Sequence, residues 1–256
     1  MGIGGALVKT GLGTWGGWLL DALYPPVCAV CDTPTGHAEG LCAQCWGSLR
    51  PITKPYCPVL GLPFEVAIGP GALSAQAIAE PPPFRRARSA MLYNDTARAL
   101  VTQLKYGDRP ELAGMMARLM VLAAGDLIAD GPVVVPVPLH ASRQWRRRYN
   151  QSAELGRALA AEAGLDFLPG LVRRARKTRQ QVGLSAQARA RNVSGAFAVA
   201  PEMVLRLKGR PVLLVDDVIT TGATVEAVTR ALKRQGVDKV DVVSFARVVI
   251  GPDMPT

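Results

Sequence analysis

Two adjacent carboxylates, Asp216 and Asp217, stand between an apolar run and a loop of small residues. Val212 to Val215 read as a short strand buried on both faces of a parallel sheet. The acidic pair then falls at the carboxyl end of that strand, where open α/β sheets place their ligands. Thr220, Thr221, Gly222, Ala223 and Thr224 are small enough to let backbone N–H groups turn inward around an anion. Val225, Val228 and Leu232 recur at helical spacing, so a helix starts near Ala223 or Thr224. Its positive end favours a phosphate in the loop. Carboxylates repel a phosphate, so Asp216 and Asp217 are expected to face sugar hydroxyls or a bound Mg²⁺. The plainer alternative is an Asp/Thr turn that only caps the helix. This is not a Walker A loop, because Gly-x4-Gly-Lys-Ser/Thr is missing.

A second chemical cluster lies near the start of the chain. Cys28 and Cys31 form one Cys-x-x-Cys pair, and Cys42 and Cys45 form another. Two such knuckles can close a tetrahedral Zn²⁺ site, so a structural zinc on these four residues is expected. A disulfide pair or unrelated free thiols are the alternatives. So small a module cannot bury a large core, and metal binding would supply much of its stability. His37, between the pairs, reads as a loop histidine. Cys57 stands alone: a third pair needs Cys at position 60, and Leu60 is there.

A third group is cationic. The formal net charge is +10, which suggests anionic partners: phosphates, nucleic acid or a membrane surface. Between Leu139 and Arg191 there are 12 Lys/Arg against 3 Asp/Glu, so most of the excess sits in a small part of the chain. Arg143, Arg146, Arg147 and Arg148 follow His140 and suit a pyrophosphate, although a solvated helix start is the bland reading. Leu171 to Phe197 are basic, Gln-rich and poor in apolar residues, with Arg173, Arg174 and Lys177 prominent. This segment reads as a charged hood over a site, a nucleic-acid surface or a plain exposed loop.

These groups need a scaffold, and the apolar content of 49% is ample for one. Strands are expected at Ser89 to Tyr93, Val133 to Val137 and Lys239 to Arg247. Helices are expected at Thr96 to Lys105, Pro110 to Ala124 and Asn150 to Ala163. Pro136 and Pro138 mark a constrained turn after the second of those strands. Alternating strands and helices imply an α/β fold with a mostly parallel sheet. No segment reaches the ~18 uncharged apolar residues of a membrane span. The Gly-rich, apolar stretch from Met1 to Tyr24 is expected to be a short helix packed on the body rather than a signal peptide. No internal repeat and no low-complexity tail is evident.

Leu214-Val-Asp-Asp-Val-Ile-Thr-Thr-Gly-Ala-Thr224 resembles the PRPP loop of type I phosphoribosyltransferases. The resemblance implies that Asp216 and Asp217 take the ribose hydroxyls, while Thr220, Thr221, Gly222, Ala223 and Thr224 wrap the 5′-phosphate, with Mg²⁺ bound alongside PRPP. The segment holding Arg143, Arg147 and Arg148 occupies the place of that family's pyrophosphate loop, and with Lys177 it is expected to contact pyrophosphate or nucleic acid. The whole chain is similar to the ComF family of competence-associated, phosphoribosyltransferase-like proteins. The similarity runs through the Cys-x-x-Cys pairs, Leu104-Lys-Tyr-Gly107, Val135-Pro-Val-Pro-Leu-His140, Tyr149-Asn-Gln151, Lys177-Thr178, Gln181-Val-Gly-Leu-Ser185, Arg191-Asn192, Ala196-Phe197 and the PRPP loop. Arg148 stands where that family often has Gly, and Leu60 breaks its usual third Cys-x-x-Cys.

The resemblance implies a zinc module over residues 1–62 and a type I phosphoribosyltransferase domain over residues 85–250. It further implies a cytoplasmic protein linked to uptake of single-stranded DNA in natural transformation, with a competence helicase and recombination factors as partners. Two function classes stand side by side. One is a PRPP-binding enzyme, in which no residue reads as a general base and no acceptor is legible; a nucleobase-salvage phosphoribosyltransferase is a form of it. The other is a nucleic-acid-binding adaptor without turnover.

Overall fold

The computed structural model describes residues 26–35, 40–66, 68–69, 71–107, 109–139, 149–175 and 195–249. The expectations for Met1 to Tyr24, His37, His140, Arg143, Arg146, Arg147, Arg148 and Lys177 fall outside these residues. Two compact units divide after Trp46.

In the first unit the backbone turns tightly through the first cysteine pair. Val27 bridges Pro34, Cys28 donates its N–H to Thr33, and Asp32, at φ 57°, donates back to Cys28. Cys42 then opens helix α1 (Ala43–Ser48). Of its described residues only Cys28, Ala29 and Cys45 are buried, so apolar packing contributes little there.

The second unit is built on four parallel strands: β1 (Ala87–Leu92), β2 (Val133–Pro136), β5 (Val212–Ile219) and β6 (Val240–Arg247). Their order across the sheet is β1-β6-β5-β2. Strands β3 (Val172–Arg174) and β4 (Phe197–Val199) form a separate antiparallel pair. Parallel strands need crossovers, and helices supply them. Between β1 and β2 run α3 (Asp95–Tyr106), α4 (Leu112–Ala123) and the short α5 (Gly125–Ile128); a short α2 (Ala75–Ala79) precedes β1. After β2 comes α6 (Gln151–Ala163), α7 (Pro201–Val204) precedes β5, and α8 (Ala223–Lys233) joins β5 to β6.

Local signals explain the helix ends. Asn94 caps α3 by accepting the Ala97 N–H, and Asn150 caps α6 by accepting the Ser152 N–H. Gly164, at φ 64°, closes α6. Pro136 ends β2 where its missing N–H costs nothing. Val133 and Val137 donate toward β5, and the chain at Asp166 to Leu168 covers the outer edge of β2 only as far as Val134.

Valines and leucines fill both faces of the sheet. Val133, Val135, Val212, Leu214, Val240 and Val242 pack with Val225, Val228 and Leu232 of α8 and with Val172 and Phe197 of the small hairpin. Helices α4 and α6 pack together, α4 against β1 and β6 and α6 against β2 and β5. The described ends of the segment from Leu171 to Phe197 are anchored in the core, through Leu171 and Val172 on one side and Ala196 and Phe197 on the other. Arg174 belongs to this anchor, its guanidinium lying 5.3 Å from the Phe197 ring centre. Among the described residues no helix is long and apolar enough to cross a membrane.

One expectation needs correction. The strand expected to stop at Val215 continues to Ile219, so both carboxylates lie within it. The reason is β6, which keeps pairing with β5 through Asp216–Ser244, Val218–Ala246 and Ile219–Arg247.

Candidate functional site

The acidic pair sits on a lip of the sheet. Strand β2 leaves its ladder with β5 at Pro136, opposite Val215, and the last bond runs from the Val137 N–H to the Val215 carbonyl. Among the described residues, β5 beyond that point pairs only with β6, and Asp216 and Asp217 follow at once. A parallel sheet thus presents two carboxylates at its carboxyl edge, where one neighbouring strand has departed.

Each carboxylate has distinct partners. Asp216 Oδ1 accepts from the Ser152 hydroxyl at 3.0 Å and from the Asp217 N–H at 3.0 Å. Ser152 lies in the first turn of α6, so the positive end of that helix serves Asp216. Asp217 is buried; its Oδ1 accepts the Val218 N–H at 2.8 Å, and its Oδ2 is ion-paired with Lys105. Burial, reinforced by the Asp217 charge, pushes the Asp216 carboxyl up to about 7, against the pull of Lys105 and Ser152. The pair holds one cation of its own and still resists a second full negative charge.

The loop after β5 turns on Gly222, whose φ of 82° suits glycine and strains other residues. It occupies the cap position of α8 and has no side chain to bond the first helical N–H groups. The Ala223 N–H points to the Thr221 hydroxyl at 3.5 Å. Thr220 is exposed, Ala223 is buried, and Thr221, Gly222 and Thr224 lie between these extremes. Asp216, Asp217 and the loop residues Thr220, Thr221, Gly222, Ala223 and Thr224 thus form one continuous edge, while Arg143, Arg147, Arg148 and Lys177 lie outside the described residues.

Lys105 and Ser152 escaped the reading of the sequence as site residues. Lys105 lies within Leu104-Lys-Tyr-Gly107 and Ser152 directly follows Tyr149-Asn-Gln151, two motifs that carried the family resemblance. The structure shows what those motifs do locally. The Tyr149 hydroxyl donates to the Leu104 carbonyl at 2.5 Å, beside Lys105. The Asn150 amide donates to the Val137 carbonyl at 3.2 Å while its oxygen caps α6. One dipeptide therefore ties together α3, the end of β2 and the start of α6, and so brings Lys105 and Ser152 to the acidic pair.

In the first unit the ligand atoms of Cys28, Cys31, Cys42 and Cys45 all lie within 4.8 Å of one another. All five cysteines are free, and the Sγ atoms of Cys31 and Cys42 are 3.6 Å apart. Four thiolates about 2.3 Å from a tetrahedral Zn²⁺ lie about 3.8 Å from each other, so this donor set fits zinc. Burial opposes ionisation of Cys28, but N–H groups of Cys42, Val30 and Cys31 outweigh it and bring the thiol down to about 6. Burial and the neighbouring sulfurs push Cys45 up. Without a cation the cluster cannot carry four negative charges, and a divalent ion removes that conflict.

Comparison with known proteins recognises both the cysteine-rich part and the sheet. The double zinc ribbon domain family matches residues 19–78, and the phosphoribosyl transferase domain family matches residues 152–254. The chain is 35% identical over 233 residues to DNA utilization protein YhgH of Salmonella typhimurium, covering 88% of this chain and 98% of that protein. It is 30% identical to Competence protein F of Haemophilus influenzae over 82% of this chain and 91% of that protein. Competence protein ComFC of Bacillus subtilis is 24% identical, over 84% of this chain and 91% of its own length. Similarity that runs through both parts and nearly the full length of these relatives places the chain in the ComF-like family of the phosphoribosyltransferase superfamily.

Proposed function

We propose that this chain binds PRPP at the lip of its parallel sheet and serves the handling of incoming single-stranded DNA. The observation that carries the reading is the acidic pair just past the end of β2, followed at once by the Gly222 turn into α8. Asp216 and Asp217 take the ribose hydroxyls, and Thr220, Thr221, Gly222, Ala223 and Thr224 take the 5′-phosphate. Two carboxylates are too few oxygens for an octahedral Mg²⁺ by themselves. They suit an ion that arrives with phosphate oxygens, which when bound would neutralise the pyrophosphate. Arg143, Arg147, Arg148 and Lys177 would add cationic contacts to that group or to nucleic acid. Zn²⁺ on Cys28, Cys31, Cys42 and Cys45 holds the small ribbon.

The link to DNA rests on the relatives named for competence and DNA utilization. On that reading the protein works in the cytoplasm beside a competence helicase and recombination factors. Calorimetry with PRPP and Mg²⁺ tests the site, with an Asp216→Ala/Asp217→Ala variant as control. Heat of binding is expected from the intact protein alone, and its absence there would sink the PRPP reading.

The local balance of +9 between Leu139 and Arg191 favours a second reading, a nucleic-acid-binding adaptor without turnover. It expects a salt-dependent mobility shift of single-stranded DNA. That shift should vanish when Arg146, Arg147 and Arg148, or Arg173 through Lys177, are neutralised. An undiminished shift in both variants would remove these residues from the interface.

A further inference from the structure

Between Pro55 and Ala77 the described residues repeat the hydrogen bonds of the first knuckle, which corrects the expectation that the chain holds no internal repeat. Val27 bridges Pro34, and Tyr56 bridges Pro63. Cys28 donates to Thr33 and Cys57 to Leu62; Asp32 donates to Cys28 and Gly61 to Cys57; Thr35 donates to Pro26 and Phe64 to Pro55. Asp32 and Gly61 both have positive φ, at 57° and 65°. The sulfurs receive equivalent donors. Cys28 takes N–H groups from Val30, Cys31 and Cys42, and Cys57 takes them from Val59, Leu60 and Ser74. The helices that follow also match: the Cys45 N–H points to Cys42 Sγ at 3.4 Å, and the Ala77 N–H to Ser74 Oγ at 3.3 Å.

This correspondence sets Cys57, Leu60, Ser74 and Ala77 where the first ribbon has Cys28, Cys31, Cys42 and Cys45. A double zinc ribbon implies a second metal at those four positions. The donors do not fit one. Leu60 and Ala77 offer no ligand atom, and the Ser74 hydroxyl is engaged in capping α2. Cys57 is the single thiol left, and one thiolate does not hold a zinc ion.

We propose that the second ribbon is a metal-free knuckle, in which apolar packing and docking on the sheet replace the ion. Cys57, Leu60, Ala77 and Phe84 are buried in one cluster with Ala87 and the main core. Three successive knuckle carbonyls are taken up by the sheet: Pro58 by the Arg88 guanidinium at 2.9 Å, Val59 by the Ala87 N–H at 2.7 Å, and Leu60 by the Arg247 guanidinium at 2.9 Å. The approach is close enough that a Cβ on Gly61 would lie 2.5 Å from the Ala87 carbonyl oxygen. Arg247 is itself buried and its charge acts on Cys57, a cation from β6 beside the one remaining sulfur. The first knuckle waits on an ion for its order, whereas the second is ordered by the fold.

Metal analysis of the purified chain tests this directly. One zinc per chain is expected, unchanged in Cys57→Ser and lost in Cys28→Ser/Cys31→Ser. Two ions per chain, or a fall in content in Cys57→Ser, would overturn the proposal. A Leu60→Cys/Ser74→Cys/Ala77→Cys variant should gain a second equivalent, seen with Co²⁺ as doubled thiolate-to-metal absorption. A folded variant that stays at one would refute the equivalence of the two knuckles. Hydrogen exchange on the unaltered chain gives an arm that needs no variant. After chelation the amides of Cys57, Gly61 and Phe64 should stay protected while those of Cys28, Asp32 and Thr35 exchange, and joint loss of both sets would count against a metal-free second ribbon.

Discussion

The four sulfurs of the first ribbon and the two carboxylates of the sheet are both clusters of like acids, and they differ in where the balancing charge comes from. Around Cys28, Cys31, Cys42 and Cys45 the described residues hold little buried apolar surface, so a bound ion must supply the charge and much of the order. Asp216 and Asp217 stand on a sheet held together by its own core, and the chain provides Lys105 and the head of α6. One cluster uses its ligand to fold. The other is already folded and retains unrelieved repulsion, visible in an Asp216 carboxyl that titrates near neutrality. Functional sites commonly hold such strain, because a ligand that relieves it gains affinity.

Stripping the metal should expose the contrast most strongly. Structural zinc is worth on the order of 10 kcal/mol to a small module. Chelation should therefore make all four ribbon thiols react rapidly while the sheet keeps its cooperative melt. A loss of both together would show that the sheet also leans on the ion.

Replacing Lys105 attacks the carboxylate side of the comparison. Lys105→Met leaves Asp217 buried without its cation, at a cost of about 3 kcal/mol. It should also move the Asp216 titration further up, because Lys105 now pulls it down. Denaturant titration reads the first effect and carboxyl NMR the second. An unmoved Asp216 titration would mean that Lys105 does not act on the pair.

The pH dependence of stability tests the same pair from the side of the proton. The folded carboxyl of Asp216 titrates at about 7, above the ~3.9 of an unfolded Asp. More protons are then bound in the folded state between those values, so this group's contribution is full below about 4 and is lost as pH rises through 7. Asp216→Asn should flatten that part of the stability curve, and it should be more stable than the parent at pH 8. Equal slopes in both proteins would remove Asp216 as the source. By the same sign, a ligand that needs the ionised carboxylate should bind more tightly as pH passes through 7.

Ser152→Ala should have the smallest effect, about 2 kcal/mol for one lost hydrogen bond to a charged acceptor. It should raise the Asp216 titration without altering the Lys105 pair. A variant with unchanged titration would assign Asp216's stabilisation to the helix end alone.

Much of the scaffold could be read before folding. Asn150 and Gly164 bracket α6 by local capping, and the valine runs of β2 and β5 need no distant partner to be recognised. Local pattern failed where the decision was made elsewhere in the chain. The length of β5 depends on how far β6 pairs with it, through Arg247. The second knuckle was obscured for a different reason. Its ligands are gone, and what persists is a turn whose Pro55, Cys57, Val59 and Pro63 echo Pro26, Cys28, Val30 and Pro34 too faintly to signal a metal fold.

Residue types and spacing were enough to locate the four-sulfur cluster and the acid-loop edge, because a Cys-x-x-Cys turn and a strand–loop–helix junction are built from neighbours in the chain. Pairing Lys105 with Asp217, seating Ser152 on Asp216 and pressing Gly61 against Ala87 belonged to the folded molecule alone. Those contacts join segments far apart in sequence, and they form only when the sheet brings the ends of its strands and helices to one edge.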